Sequence, residues 1–332
     1  MIGTRIVRSV KPIMLGDVDP EDARTVVGGK ARGLAVLRRH GFRVPETWVV
    51  PAGPAAAGPG GTDLSGLAGP GLWAVRSSAS VEDDPVHSFA GLFRTELGVG
   101  FGGLPAAIAR VARSGGGERV RAYQARAGLA VRDVEVAVVL QRYEPPRDSG
   151  VWIGRDPETG RLEWASGAAE EWTAAGGGGP TGRACLGVQR ALGAVADLEF
   201  AVLDSGLVWV QYRPVTRPVP EPAAGGGPLT GVPAAPGAAE GPVVCASDPG
   251  DPSWHPGSVL VIAGTGPEWV PLMAEAAAVV TTSGGSLCHA AIVARELGVP
   301  CVTGVGDALA LLRTGMRAEV DGGRGAVRVT GR

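Results

Sequence analysis

The sequence predicts a two-domain α/β protein, and three observations carry that prediction. The chain has 332 residues with 45% apolar content, enough to bury a real core and, by size, to form two domains or three small ones. Up to residue 216, strand-like apolar runs alternate with helical stretches, and from residue 231 they alternate again on a shorter scale. Between these stretches, residues 217–237 read "RPVPEPAAGGGPLTGVPAAPG", a proline- and glycine-rich tract with no apolar periodicity. The expected division is an N-terminal domain at 1–216, a linker at 217–230 and a C-terminal domain at 231–332. Fully stretched, the linker reaches roughly 45 to 50 Å, enough to carry a small domain across a larger one.

In chain order, a helix is expected over 30–40, a strand at "WAVRSS" (73–78) and a long helix over 104–127. Strands follow at "VEVAVVLQRY", "VWIGR" and "LVWVQYR", and the glycine-rich tracts 52–71 and 174–182 read as loops. In the C-terminal part, "GSVLVIA", "AAAVVTT" and "VPCVTGV" are short buried-type strands. A helix over 290–297 stands between the last two and is stopped by Gly298 and Pro300. No internal repeat is visible.

Composition excludes several classes of function. A net charge of −2 and a pI near 6.1 supply no basic field for a nucleic-acid or anionic-membrane partner. The start, "MIGTRIVRSVKPIML", lacks the layout of a signal peptide, and the longest apolar stretch, 269–280, is short and contains Pro271 and Glu275. A soluble cytoplasmic protein is the expectation. Cys185, Cys245, Cys288 and Cys301 show no CxxC spacing, so free buried thiols are expected rather than disulfides or a cysteine-rich metal site. Arginine outnumbers lysine 29 to 2 and asparagine is absent, a bias of composition against which Lys30 in "VVGGKARGL" stands out.

His289 is placed where chemistry can happen. It follows a strand and a Ser-Gly-Gly turn and opens a helix, whose free N–H groups and positive dipole end attract anions. A neutral imidazole there can attack phosphorus and carry a phosphoryl group that those N–H groups steady. The same position suits a histidine that only caps or packs the turn. A metal site with Cys288 or Cys301 lacks an evident third ligand, and a Ser286-type hydrolase lacks GxSxG and a placed acid.

"TGPEWVPLMAEAAAVVTTSGGSLCHAAIVARELGVPCVTGVGDA" followed by "GMRAEVDGGRGAV" resembles the swivelling phosphohistidine domain of the PEP-utilising enzymes, the family of PEP synthase, pyruvate phosphate dikinase and rifampin phosphotransferase. The resemblance covers nearly all of 231–330 and implies that His289 is phosphorylated, with Gly284, Gly285 and the following helix as its setting.

"VVGGKARGLAVLRRHGFRVPETWVV" is not a P-loop, since Arg24 and Ala31 stand where that motif needs Gly and Ser or Thr. It resembles instead the start of the same family's ATP-grasp-like nucleotide domain, which implies that Lys30 reaches the nucleotide phosphates; an ordinary solvated lysine beside a turn is the plain alternative. "WAVRSSASVEDDPVHSFAGLFRTELGV" is the second match. It puts Arg76 at the end of an apolar strand, suited either to clamp phosphate or to pair with Glu82 or Asp83 at the surface. Leu92 departs from the glutamine common after "SFAG" in the family. The resemblance makes "VVLQRY" the hinge strand beside adenine, with Gln141 as a contact.

"DLEFAVLDSGLVWVQYRPVT" reads as a hairpin about a three-residue Asp-Ser-Gly turn at 204–206. Pairing outward then sets Leu203 opposite Leu207, Ala201 opposite Trp209, Glu199 opposite Gln211 and Asp197 opposite Arg213, on one face. A carboxylate facing an amide oxygen offers two hard ligands for Mg²⁺, and Arg213 beside them can neutralise transferred charge. A plain polar ladder with an Asp-Arg pair fits the same pattern. The family resemblance assigns Glu199 and Gln211 to metal and Arg213 to phosphate.

Measured against the family, this looks like a compact form with nucleotide and phosphohistidine domains only, since no acceptor-binding domain follows or intervenes. Residues 160–196 are short, and the family's "GLGE" segment is reduced to "ASGAAE", leaving Glu170 a poor counterpart. The expected function is an ATP- and Mg²⁺-dependent phosphotransferase of dikinase type: His289 receives a pyrophosphoryl group, AMP is left, and phosphate passes to a small-molecule acceptor, a hydroxyl. Two alternatives stand beside it. The acceptor site sits on a separate protein, or the chain is a non-catalytic nucleotide-binding or phosphocarrier module.

Overall fold

The computed structural model describes residues 10–21, 24–53, 61–67, 71–81, 89, 92–126, 129–166, 173–176, 179–215, 229–285 and 288–331. The chain forms two compact units, one from 1–120, 132–169 and 176–215, the other from 121–131, 170–175 and 216–332.

The first unit opens with strand β1 (Ile13–Met14), helix α1 (Arg24–Arg39), β2 (Thr47–Val50), β3 (Leu72–Ala79), β4 (Thr95–Gly100), helix α2 (Leu104–Arg113) and β5 (Val136–Tyr143); helix α3 (Glu118–Arg126) stands between α2 and β5 in the chain, and its residues from 121 on group with the other unit. The strands make an antiparallel sheet in the order β1-β2-β5-β3-β4. Central β5 is apolar at nearly every position because both its faces are covered. Val138 and Leu140 join Trp73, Ile108 and Val111 under α2. Ala137 and Val139 point the other way, against Ala31, Leu34 and Ala35 of α1.

The single helix expected over 104–127 is broken by a 3-10 turn, Ser114–Gly116. Ser114 Oγ donates to the Val111 carbonyl at 2.6 Å, and a side chain at Gly115 would stand 1.9 Å from the Val134 carbonyl oxygen. The chain turns there because glycine is the residue that fits beneath the lead-in to β5.

A second sheet uses β6 (Asp148–Asp156), β7 (Thr159–Ser166), β9 (Ala196–Leu203) and β10 (Gly206–Pro214); a short strand β8 (Thr173–Gly176) precedes helix α4 (Pro180–Leu192). Within the first unit its order is β10-β9-β6-β7, all antiparallel. The expected loop at 174–182 is therefore partly strand and partly the first turn of α4, where Pro180 suits the helix start. Cys185 and Val188 of α4 pack on Trp152, Leu198, Phe200 and Trp209, and Leu37 of α1 joins them. Helix α1 thus serves both sheets. Its Gly33 lies so near β10 that a Cβ would come 2.1 Å from the Tyr212 carbonyl oxygen, so a bare backbone is what permits this approach.

The second unit carries β11 (Leu229–Thr230), β12 (Val232–Ala235), β13 (Ala238–Cys245), β14 (Val259–Ile262), α5 (Val270–Glu275), β15 (Ala278–Thr281), α6 (His289–Leu297), β16 (Cys301–Thr303), α7 (Ala308–Leu311), β17 (Arg317–Asp321) and β18 (Ala326–Gly331). The sheet order is β11-β18-β17-β13-β14-β15-β16-β12, with β13 through β16 parallel. Its two outermost strands are separated in sequence by Gly231 alone, so the sheet must curl until its edges meet. Val243, Val259, Val261, Val280, Val302 and Val320 fill its interior. Expected linker residues 217–228 lie outside the described residues, whereas Leu229 and Thr230 already pair with β18, shortening the linker by two residues. Among the described residues no helix is long and apolar enough to cross a membrane.

Candidate functional site

The first unit has a cleft between its two sheets. The chain leaves the first sheet at Tyr143 and enters the second at Asp148, and beside this crossing lies a cavity of about 270 Å³. Ala74, Arg76, Leu97, Gln141 and Tyr143 line it from the first sheet, and Glu199, Phe200, Leu203 and Val210 from the second. Much of its lining is apolar, and Arg76 and Glu199, paired at 3.0 Å, give it a charged end, a combination that suits a flat ring joined to an anionic tail.

Arg76 holds the charged end together. The sequence left open a surface arginine, but its side chain is only 12% exposed, and its Nη2 donates at 3.0 Å to both Glu199 Oε2 and Gln211 Oε1. Nη1 donates to the Val210 carbonyl at 2.5 Å. Glu82 and Asp83, the surface partners considered above, lie outside the described residues.

The hairpin register explains why Val210 is free to accept. Near the turn the pairing is Gly206 with Leu203, Val208 with Ala201 and Trp209 with Phe200, about a two-residue turn at Asp204 and Ser205. The expected Leu203–Leu207 and Ala201–Trp209 pairs are thus off by one. A bulge between Trp209 and Gln211 then takes up one residue and restores Glu199 opposite Gln211 and Asp197 opposite Arg213. Val210 is the extra residue, and its carbonyl receives Arg76 instead of a ladder partner. Turn length is a local preference, whereas the bulge coincides with a contact from the distant strand β3.

Arg213 Nε donates to Asp197 Oδ2 at 2.6 Å, with both side chains largely buried. Gln141 is buried on β5 and its Nε2 donates to Thr47 Oγ1 at 3.3 Å, while the residue still lines the cleft. Lys30 lies in α1 beside a break at Gly28, whose φ of 74° carries the chain past β3; a Cβ there would be 2.0 Å from the Ser78 carbonyl oxygen. Ser78 Oγ donates to the Val27 carbonyl at 2.6 Å and accepts from Ala31 N–H at 3.1 Å. The segment carrying Lys30 is therefore fastened to the strand carrying Arg76. Lys30 itself is not part of the cleft lining, nor is Arg213. Leu92 is buried, and Glu170 lies outside the described residues.

In the second unit His289 begins α6 at the carboxyl end of the parallel strand β15, the usual place for ligands on such sheets. The preceding turn is pinned at several points: Thr281 Oγ1 donates to the Ser283 carbonyl at 2.6 Å, Thr303 Oγ1 to the Gly285 carbonyl at 3.0 Å, and Ser283 Oγ to the Ala263 carbonyl at 2.7 Å. Gly284 takes a φ of 102°, and a Cβ there would meet Cys288 Sγ at 2.8 Å. Thr265 Oγ1 lies 2.9 Å from His289 Nδ1, and Nε2 is screened from solvent. Thr265 was missed in reading the sequence; its signal was its place at the head of "TGPEWVP". Ser286 lies outside the described residues.

All four cysteines are free, two buried and two half-buried. Burial pushes Cys301 well above the ordinary thiol range and Cys185 up to about 12, which disfavours the thiolate a metal needs. Among the described residues no group of three or more His, Cys, Asp or Glu is placed to hold a metal ion.

Residues 63–169 match the AMP/ATP-binding domain of pyruvate phosphate dikinase, and residues 254–325 match the mobile domain of the PEP-utilising enzymes. The chain belongs to the PEP-utilising enzymes, and its fold is α/β, in two units. It is 31% identical over 324 residues to a probable phosphoenolpyruvate synthase of Archaeoglobus fulgidus, covering 76% of this chain and 43% of that protein. A second probable phosphoenolpyruvate synthase, of Staphylothermus marinus, is 45% identical over 102 residues, covering 30% of this chain and 12% of that one. The chain thus spans less than half the length of these relatives. Among solved structures, D-alanine–D-alanine ligase from Bacillus anthracis complexed with ATP aligns at 12% identity and a TM-score of 0.35, over 57% of this chain and 54% of that one. Arg76, Gln141 and His289 fall inside the family matches, while Lys30, Glu199, Gln211 and Arg213 fall outside them.

Proposed function

We propose that this chain is an ATP-dependent phosphotransferase of dikinase type, in which residues 1–216 bind the nucleotide, 217–230 link, and 231–332 carry the phosphorylated His289. The observation that carries the reading is the Arg76 cluster: a buried guanidinium fastened to Glu199, Gln211 and the Val210 carbonyl at the charged end of a cleft, in a chain that also has a histidine at the head of a helix.

The cleft suits adenine near Gln141 and Tyr143 and the phosphates near Arg76, with Lys30 and Arg213 contributing positive charge. In the tautomer this reading needs, Nδ1–H of His289 donates to Thr265 Oγ1, 2.9 Å away, and the lone pair is on Nε2, which has to be uncovered before it meets the nucleotide. Nε2 then bonds to the β-phosphorus, the bond from that phosphorus to the AMP oxygen breaks, and AMP departs, leaving a pyrophosphoryl group on the histidine whose terminal phosphoryl group passes to water as inorganic phosphate before the remaining one is transferred. The free N–H groups of the first turn of α6 steady the charge left on the histidine. Glu199 Oε2 and Gln211 Oε1 converge on one point, occupied by Arg76 Nη2, so the two oxygens fit a shared cation. Mg²⁺ held there would offset phosphate charge. A small-molecule hydroxyl is the proposed acceptor, in this chain or on a separate protein, and free thiols with a nucleotide substrate support a cytoplasmic setting.

Incubation with β-³²P-ATP should give acid-labile, hydroxylamine-sensitive label and accumulate AMP, and His289→Ala should abolish both. Label that persists in this variant, or ADP as the product, refutes the reading. The engagement of both oxygens with Arg76 also favours a binding module that does not turn ATP over. Calorimetry and product analysis together decide between them, because a module that binds ATP without turning it over gives heat with ATP and Mg²⁺ but neither AMP nor label, and a module with no nucleotide function gives no heat at all.

A further inference from the structure

Glu199, which lines the cleft, and Gln211, opposite it on β10, offer hard oxygens suited to a divalent cation, and both are already bonded to a cation of the protein. Arg76 Nη2 sits 3.0 Å from Glu199 Oε2 and 3.0 Å from Gln211 Oε1, and the Val210 carbonyl holds the other arm of the guanidinium. With the arginine side chain 12% exposed and the glutamate 35%, water screens this contact only partly. A divalent ion entering the same point would meet a fixed positive charge at hydrogen-bond distance, with a single carboxylate to offset both.

We infer that Arg76 is a resident counter-cation that keeps divalent metal out of the nucleotide-free protein. A triphosphate changes the balance by offering the guanidinium other anionic oxygens, which releases Glu199 and Gln211. Metal is therefore admitted together with a polyphosphate and not before it, so metal occupancy is coupled to nucleotide occupancy through one side chain. The bulge at Val210 belongs to this device, since it frees the carbonyl that anchors Arg76 in the resting position. Arg76 acts here as a positioning residue for the metal, apart from any contact it makes with phosphate.

The inference rests on the assignment of Glu199 and Gln211 to metal, and its test separates from that of the phosphohistidine because it needs neither ATP nor His289. The measurement is Mn²⁺ binding to the full-length, nucleotide-free chain, followed by electron paramagnetic resonance of free Mn²⁺. Arg76→Gln should bind Mn²⁺ at least about tenfold more tightly than the unaltered chain, as removal of a charged hydrogen-bond competitor implies. Adding Glu199→Gln to that variant should abolish the gain. Arg76→Lys, which keeps the charge but not the two-armed geometry, should fall between, and it serves if the glutamine variant does not fold. Equal or weaker Mn²⁺ binding in the Arg76 variants overturns the inference, as does a gain that survives Glu199→Gln.

Discussion

At the scale of single residues, the proposed chemistry turns on the contacts of Arg76 and His289. Arg76 contributes through three acceptors at once, so Arg76→Ala leaves a half-buried carboxylate, an amide and a carbonyl short of a donor. Because Glu199 is 35% exposed, part of that loss is recovered by water, and a cost of about 1 to 2 kcal/mol in urea unfolding is expected. Thr265 tests the histidine. Thr265→Val removes the hydroxyl that orients Nδ1 and should slow labelling from β-³²P-ATP about 10- to 100-fold, whereas Thr265→Ser should restore it. An unchanged labelling rate in the valine variant would mean that the hydroxyl has no part in setting the tautomer.

At the scale of elements, close approaches and edge contacts carry the testable consequences. Gly33→Ala forces a methyl into the Tyr212 carbonyl, which belongs to the ladder of β10 and cannot swing away. The expected loss is about 2 kcal/mol or more, with weaker nucleotide binding because α1 is driven off the hairpin that holds Glu199 and Gln211. Denaturant unfolding checks the first part and calorimetry the second. On the edge strand β4, Glu96 accepts from Arg110 at 2.7 and 2.8 Å and from Arg94 at 2.6 Å, which ties the strand to α2. Hydrogen bonding by Arg110, then Arg94, lowers its carboxyl from 4.5 to about 2. A carboxyl depressed in the folded state adds stability above its unfolded value, and that stability is lost as pH falls from about 4.5 to about 2. Glu96→Gln should therefore be less stable by about 1 kcal/mol at pH 7 and level with the unaltered chain near pH 2, with the gap narrowing in salt. A gap that is constant with pH would assign the loss to packing.

At the scale of the whole molecule, two compact units each have their own buried cluster, and the second has a sheet whose edges are joined through Gly231. The sheet's interior is filled by its own valines, so it needs no neighbour to complete its core. Residues 229–332 expressed alone should melt cooperatively, which calorimetry reads directly. A broad, non-cooperative transition would show that 121–131 and 170–175, which group with this unit, are part of its core.

Much of the site was legible before the fold was. The apolar runs of β5, β9, β10, β14 and β15 announce themselves because strand burial repeats locally, and His289 stood out because glycines and a helix start flank it. The pairing of Glu199 with Gln211 could be counted from the hairpin, although the turn was one residue shorter than expected and the bulge at Val210 made up the difference. The break of the helix at 114–116, the tight seat of α1 on β10 and the closing of the second sheet were not legible. Local pattern sets the period and face of an element, so the amino-acid sequence by itself determined which segments are strands and helices and which side chains have the chemistry to act. Only the tertiary structure decided that Arg76, from a distant strand, lies between Glu199 and Gln211, because that meeting depends on two sheets facing across a cleft, and no neighbouring residue encodes it.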